Sequence, residues 1–313
     1  MKKLFLSILS GILSLCMLAS CTTTEGPSSN GDTSVASKGD ILVYLVGGQS
    51  NAVGNGYISD LNRSEQLAEY KDVLYYAGGE DINENVRNKL LYVTTVNGGQ
   101  SRFTYSFGME LGMAKRFTQE FEDAGTKCAI IKYAKDGSNI LKDNDKRDWN
   151  LYDNQGTGAH YSNFIDTVNA GLSALRAEGY NPVIKGFAWL QGESNHTLSS
   201  YRLYLEKIRD QARIDLNAPN MFFVMGEIAY ENYGESNYVN NGIKEIAQAQ
   251  SSLCSVVMCG NLPTRSKGRY GNTGFSTQTN AGGPYDYLHW SGAEMLQIGQ
   301  MYAEAFLTLD GLN

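Results

Sequence analysis

From Asp40 onward, short apolar runs alternate with longer stretches whose apolar residues recur every three or four positions. The first run, Ile41 to Val46, carries no charge and has the length and β-branched content of a buried central strand. Further runs at Asp72–Ala77, Leu91–Val96, Lys127–Ala134, Val183–Leu190, Met221–Ala229 and Cys254–Gly260 predict more strands, the first two of them peripheral. Helical stripes fall between them. Phe107, Leu111, Ala114 and Phe117 share a face over Ser106–Phe121, with Ser106 as its cap. Phe164, Val168, Leu172 and Leu175 do the same over Phe164–Leu175, and Leu205, Ile208 and Ala212 over Tyr201–Leu216. Helices at Val239–Ser251 and Ala293–Leu307 complete the set. Strands and helices alternating without repeats predict an α/β fold, a doubly wound parallel sheet with helices on both faces.

The amino terminus lies outside this pattern. Lys2 and Lys3 precede the apolar run Leu4–Leu18, and Leu18-Ala19-Ser20-Cys21 follows, the layout of a secretory signal. A cysteine directly after Leu-Ala-Ser resembles the lipobox of bacterial lipoproteins, which implies that Cys21 becomes the acylated new amino terminus. Several acyl chains, at about 0.8 kcal/mol per buried CH₂, suffice for a stable anchor. Residues 1–20 are therefore expected to be a signal peptide and 21–39, rich in Ser, Thr and Gly, a flexible tether. The domain is expected to span 40–313, held to the bacterial cell envelope at the outer membrane or cell surface. No later run is long and apolar enough to cross a bilayer.

Charge and cysteines narrow the partners. The 26 basic and 33 acidic residues give −7, which becomes −9 once Lys2 and Lys3 leave with the signal. An acidic chain with no basic block argues against nucleic acid and acidic polymers. Cys16 leaves with the signal, and Cys128, Cys254 and Cys259 remain in the domain without a C-x-x-C spacing. A Cys254–Cys259 bridge is open to an oxidising envelope, while Cys128 reads as a core residue.

Three predicted strands end in small polar turns: Gly47-Gly48-Gln49-Ser50-Asn51, Lys135-Asp136-Gly137-Ser138-Asn139 and Gln191-Gly192-Glu193-Ser194-Asn195. A parallel sheet gathers such ends at its carboxyl edge, where open α/β sheets hold ligands. Gly47 and Gly48 let the backbone turn sharply and bring N–H groups close to a reacting atom. The fourth element is Asp286-Tyr287-Leu288-His289. Two intervening residues let the acid and imidazole of a turn point the same way, so Asp286 can hold one ring nitrogen while the other takes the Ser50 proton. Of the histidines His160, His196 and His289, only His289 has an aspartate at this spacing.

Together, G-Q-S-N at 48–51, the Gly137 turn, W-L-Q-G-E-S-N at 189–195 and D-x-x-H at 286–289 resemble the four blocks of the SGNH hydrolases. They stand in the family's order and span nearly the whole folded region. Within that superfamily they are similar to the branch of sialate O-acetylesterases and carbohydrate esterase family six acetylxylan esterases. The resemblance implies a flavodoxin-like α/β/α sandwich. It also implies a serine esterase that removes O-acetyl groups from a polysaccharide or sialic acid through an acyl-enzyme, without a cofactor. Ser50 is then the nucleophile, His289 the base and Asp286 its orienter. The Ser50 and Gly137 N–H groups and the Gln191 amide become oxyanion donors, with Gln49, Asn51 and Glu193 also in the oxyanion and substrate-binding wall. The family often has histidine or tyrosine before Q-G-E, where this chain has Leu190. That leaves Glu193 two roles, bracing the Ser50 turn or pairing with His289 in place of Asp286.

No H-E-x-x-H or similar spacing predicts a metal, and no G-x-x-x-x-G-K-[ST] or G-x-G-x-x-G predicts a phosphate or dinucleotide. Trp149, Tyr152, Tyr161 and Trp290 are candidates for a carbohydrate-recognising rim. Two other functions compete: a catalytically silent glycan-binding lipoprotein, and another SGNH esterase or lipase. Ser50, Asp286 and His289 together argue against the first, and the Q-G-E-S block against the second.

Overall fold

The computed structural model describes residues 36–95, 103–121, 125, 127–142, 147–153, 156–265 and 288–312. The proposed signal peptide and most of the tether lie outside them. The uncharged first run becomes β1 (Gly39–Gly48), followed by α1 (Ser50–Val53), β2 (Gly56–Tyr57), α2 (Arg63–Gln66), β3 (Glu69–Gly78) and β4 (Leu91–Thr94). Next come β5 (Ser106–Phe107), α3 (Met109–Phe121), β6 (Lys127–Ala134), α4 (Ala159–Ala177) and β7 (Tyr180–Leu190). The chain continues through α5 (Tyr201–Asp215), β8 (Phe222–Gly226), α6 (Tyr230–Tyr233), α7 (Tyr238–Ala249), β9 (Cys254–Val257) and α8 (Gly292–Leu309).

The main sheet runs β4-β3-β6-β1-β7-β8-β9. Its pairings are parallel except that of β4 with β3. Alternate residues of β1 enter two cores, which is why its sequence is apolar throughout rather than alternating. Tyr44 and Val46 pack with Phe117 of α3 and Phe306 of α8, Tyr44 stacking on Phe117 at 4.3 Å between centroids. Val43 and Leu45 face Phe164 of α4 and Leu205 of α5 on the other side.

Register then positions the site. Gly48 pairs with Ala134 of β6 and with Leu190 of β7, so three strand ends emerge side by side. After β6 the chain crosses to the opposite side of β1, making the carboxyl end of β1 the switch point where such sheets bind ligands. The class is as expected. The strand order differs from the flavodoxin one in that β6 sits between β1 and β3.

Some local expectations shift. The run at 72–77, expected to be peripheral, is part of β3, a full parallel partner of β6. Ser106, expected to cap a helix, pairs with Tyr57 in the β2–β5 ladder. Its hydroxyl accepts from the Phe103 N–H at 3.1 Å, and the helix starts at Met109. Cys128, Cys254 and Cys259 are buried free thiols, with no Cys254–Cys259 bridge.

One charge interrupts the apolar pattern of β6. Lys132 and Glu110 have fully buried side chains in contact at 2.8 Å. The Lys132 ammonium also donates to the Val53 carbonyl at 2.8 Å, at the end of α1. Burial pushes the Lys132 pKa down, and the Glu110 carboxylate opposes that. Lys132→Met would leave Glu110 buried without its cation, and such breaks typically cost about 3–5 kcal/mol. We expect that loss in denaturant unfolding, with much of it recovered in Lys132→Met/Glu110→Gln. Equal stability of wild type and single variant would remove the pair from the supports of α1.

Candidate active site

Ser50 stands two residues beyond the end of β1, as the first residue of α1, and is 6% exposed. Gly48 makes the turn with φ of 141°, and a Cβ there would lie 2.0 Å from the Leu190 carbonyl oxygen. Only glycine allows both that conformation and that approach. Asn55 donates to the Ser50 carbonyl at 2.9 Å and fixes the far side of the turn. Among the described residues the Ser50 hydroxyl makes no hydrogen bond. Its N–H and that of Gly137 have no acceptor there either. Gly137 has φ of 65° and open space where a side chain would be.

Gln49 and Gln191 form the floor beside the serine. The Gln49 Oε1 accepts from Gln191 Nε2 at 3.0 Å, from the Gly192 N–H at 3.3 Å and from the Ser194 N–H at 3.4 Å. Two of those donors are backbone groups, so the atom facing them is the oxygen, and the Gln49 amide nitrogen points elsewhere. The Gln191 amide reaches Gln49, the Ser138 carbonyl at 3.3 Å and Asn195 Oδ1 at 2.7 Å. The resemblance implies Gln191 as an oxyanion donor, yet here three protein acceptors engage its two hydrogens. Asn195 also accepts from the Ile140 N–H at 3.0 Å and donates to Asn139 at 2.6 Å. It thereby ties the turn after β6 to the turn after β7. Sequence reasoning gave Asn195 no role, although it belongs to the Q-G-E-S-N block. Tyr201, whose hydroxyl lies 2.8 Å from the Gln191 carbonyl, carried no sequence signal beyond its place on a helix.

Glu193 bonds to Asn51 rather than to a histidine. Asn51 Nδ2 donates to Glu193 Oε1 at 2.6 Å and to the Leu288 carbonyl at 3.0 Å. Among the described residues, Glu193 Oε2 and Asn51 Oδ1 are buried without a hydrogen-bond partner. Burial raises the Glu193 pKa, opposed by the Asn51 hydrogen bond and by the charge of His289. Glu193 thus lies near His289 electrostatically but reaches its segment through Asn51.

That segment is pinned from several sides. The His289 carbonyl accepts from the Arg265 N–H at 3.2 Å, and Trp290 bridges to Thr264. The Gly292 N–H donates to Asp60 at 2.8 Å. Asp286 lies outside the described residues. Of the other histidines, His160 is buried against the Tyr133 hydroxyl at 3.1 Å, and His196 faces the Glu193 carbonyl at 3.0 Å. Among the described residues no three His, Cys, Asp or Glu side chains group as metal ligands.

The expected aromatic rim is mostly core. Trp149 and Trp290 are 0% exposed, and Tyr161 is buried. The Trp149 indole N–H donates to Ser138 Oγ at 2.9 Å, supporting the Gly137 turn from below. Only Tyr152 of the four is exposed. These rings follow strand and helix periodicity inward, and composition alone does not show which way a ring points.

A doubly wound sheet with a serine at the end of its central strand, and a histidine segment tied to the next residue, is the layout of an SGNH-type hydrolase. The carbohydrate esterase, sialic acid-specific acetylesterase family model matches residues 40–308. The chain belongs to that family and is a carbohydrate O-acetylesterase. The fold is similar to that of NanS, with a TM-score of 0.58 at 16% identity over 88% of this chain and 99% of that one. A protein from Arabidopsis thaliana gives 0.57 at 16% identity over 86% and 98% of the two chains. XAC1771, a carbohydrate acetylesterase from Xanthomonas citri, gives 0.50 at 16% identity over 85% and 56%. No curated protein sequence matches.

Proposed function

We propose that the acetyl group is removed from an O-acetylated polysaccharide or sialic acid through an acetyl-enzyme on Ser50. Ser50 Oγ attacks the acetyl carbonyl as His289 takes its proton, and His289 returns that proton to the departing sugar hydroxyl. Water, deprotonated by the same imidazole, then releases acetate and restores Ser50. Asp286 orients the ring. The developing oxyanion is held by the Ser50 and Gly137 N–H groups, which have no acceptor among the described residues, and by the Gln49 amide nitrogen. Gln49 takes this role because its oxygen is fixed by three donors, whereas the Gln191 amide is engaged in fixing it. Each donor removed from such a hole typically costs about 10²–10³ in rate.

The observation that carries this reading is the tie from Asn51 to both Glu193 and the Leu288 carbonyl, which brings the histidine segment to the residue after Ser50. The lipobox-like Leu18-Ala19-Ser20-Cys21 supports an envelope-anchored protein with Cys21 acylated. One mass-spectrometric experiment tests both readings. Protein isolated from the producing cells and treated with a fluorophosphonate should carry the adduct on the peptide holding Ser50 and begin at a lipidated Cys21. A label on another residue would refute the nucleophile. A mature protein beginning elsewhere would refute the anchor.

A further inference from the structure

A cleft of about 440 Å³ opens between the loop after β3 and the Phe103–Tyr105 turn, lined by Glu80, Asn83, Arg87, Phe103, Thr104 and Tyr105 among others. Its volume falls in the range of about 300–1,000 Å³ usual for small-molecule sites. Both walls are tied to the catalytic elements. On one wall, Asp81 Oδ2 accepts from the Asp136 N–H at 2.7 Å and from the Lys135 ammonium at 3.0 Å, joining the loop after β3 to the Gly137 turn. On the other, the Ile58 N–H donates to the Tyr105 carbonyl at 3.0 Å, joining the aromatic wall to the ladder that follows α1.

The aromatic wall is braced by contacts of its own. Phe103 and Tyr105 stack at 5.1 Å between centroids and 5° between planes. Tyr57 meets Tyr105 edgewise at 5.6 Å. The Phe103–Ser106 turn is closed by two hydrogen bonds of 3.1 Å, Phe103 N–H to Ser106 Oγ and Ser106 N–H to the Phe103 carbonyl. Tyr105 is nevertheless 37% exposed, an aromatic held at the surface rather than withdrawn into the core. The same cleft is lined by residues that carry a guanidinium, an amide and a hydroxyl: Arg87, Asn83 and Thr104. Flat apolar faces with polar groups around their edge match a pyranose ring, whose C–H faces are apolar and whose hydroxyls point outward.

We propose that this cleft binds a neutral pyranose of the glycan chain next to the acetylated sugar. The inference rests on the esterase reading of the Ser50 site and adds the substrate's chain to it. Neutral sugar is favoured by charge: the lining holds two acids, Glu80 and Glu84, and a single cation, Arg87. Lys135 and Arg147 behind it are already engaged by Glu80, at 3.3 and 2.8 Å. With Glu80 paired to those two cations, a carboxylate on the ligand would meet Arg87 and Glu84 together, one cation offset by one anion.

The test compares three acetyl donors: an aryl acetate, an O-acetylated sialic acid monosaccharide, and a neutral acetylated xylo-oligosaccharide. Tyr105→Ala and, separately, Arg87→Met should each raise KM for the oligosaccharide about tenfold. Neither should change kcat/KM for the aryl acetate or the monosaccharide. Unchanged oligosaccharide KM in both variants would overturn the proposal, as would equal losses on all three donors. Loss confined to the sialic acid would overturn it in favour of an acidic ligand. Wild-type protein inactive on every donor would instead refute the esterase reading, so the two failures are distinguishable. Because Arg87 is a partly exposed side chain, its variant remains informative even if Tyr105→Ala melts early.

Discussion

Ser50→Ala should leave a folded protein whose hydrolysis of an aryl acetate falls by about 10³-fold or more. The fold is expected to survive because the hydroxyl makes no hydrogen bond among the described residues. The turn is held by other atoms: the Gly48 backbone, the Asn55 amide on the Ser50 carbonyl, and Lys132 at the end of α1. Alanine keeps all of these and removes only the nucleophile. Residual rate should remain, since the N–H groups of the oxyanion hole would still polarise a bound ester. Steady-state kinetics alongside thermal melting decide the matter. Near-wild-type turnover in a variant with an unchanged melting transition would take Ser50 out of the mechanism.

Asp286→Asn should cost about 10²–10⁴ in kcat, and Glu193→Gln considerably less. An asparagine beside His289 can hold the ring but favours the wrong tautomer, so the imidazole no longer accepts the serine proton. Glu193 meets Asn51 and not the imidazole, and its second oxygen has no hydrogen-bond partner among the described residues. Glutamine at 193 can still accept from the Asn51 amide through its own oxygen. It also removes a buried acid whose pKa burial has raised. A raised acid contributes stability that is full below its unfolded pKa and lost as pH rises through the folded value. The melting point of Glu193→Gln should therefore gain on that of wild type as pH rises from acid to neutral. Matched kcat values settle the assignment, and a larger loss for Glu193→Gln would make Glu193 the orienter.

The strands and helices were readable because their periods differ. The unbroken apolar run of β1 and the spaced stripe of Phe164, Val168, Leu172 and Leu175 each match one geometry. Boundaries were less readable where side chains bond locally, as at Ser106, whose hydroxyl closes a turn with Phe103 instead of capping a helix. The aromatic residues misled more. Trp149 and Trp290 stand near the motifs in sequence and so suggested a sugar-binding rim, yet both are wholly buried. The rings that do line a cleft, Phe103 and Tyr105, lie in a segment with no motif.

The sequence by itself determined the class of sheet, the order of the four blocks and the identity of the groups able to do acyl chemistry. These follow from periodicity, glycine placement and short spacings, which are properties of neighbouring residues. The tertiary structure alone decided that Gly48, Ala134 and Leu190 share one register, which brings the three turns together. It also decided that the Gln191 amide is spent on Gln49, Ser138 and Asn195, and that Glu193 answers to Asn51. Glu193 and Asn51 are 142 residues apart in the chain. A hydrogen bond across that separation depends on where two strand ends come to rest, and no local pattern encodes that distance.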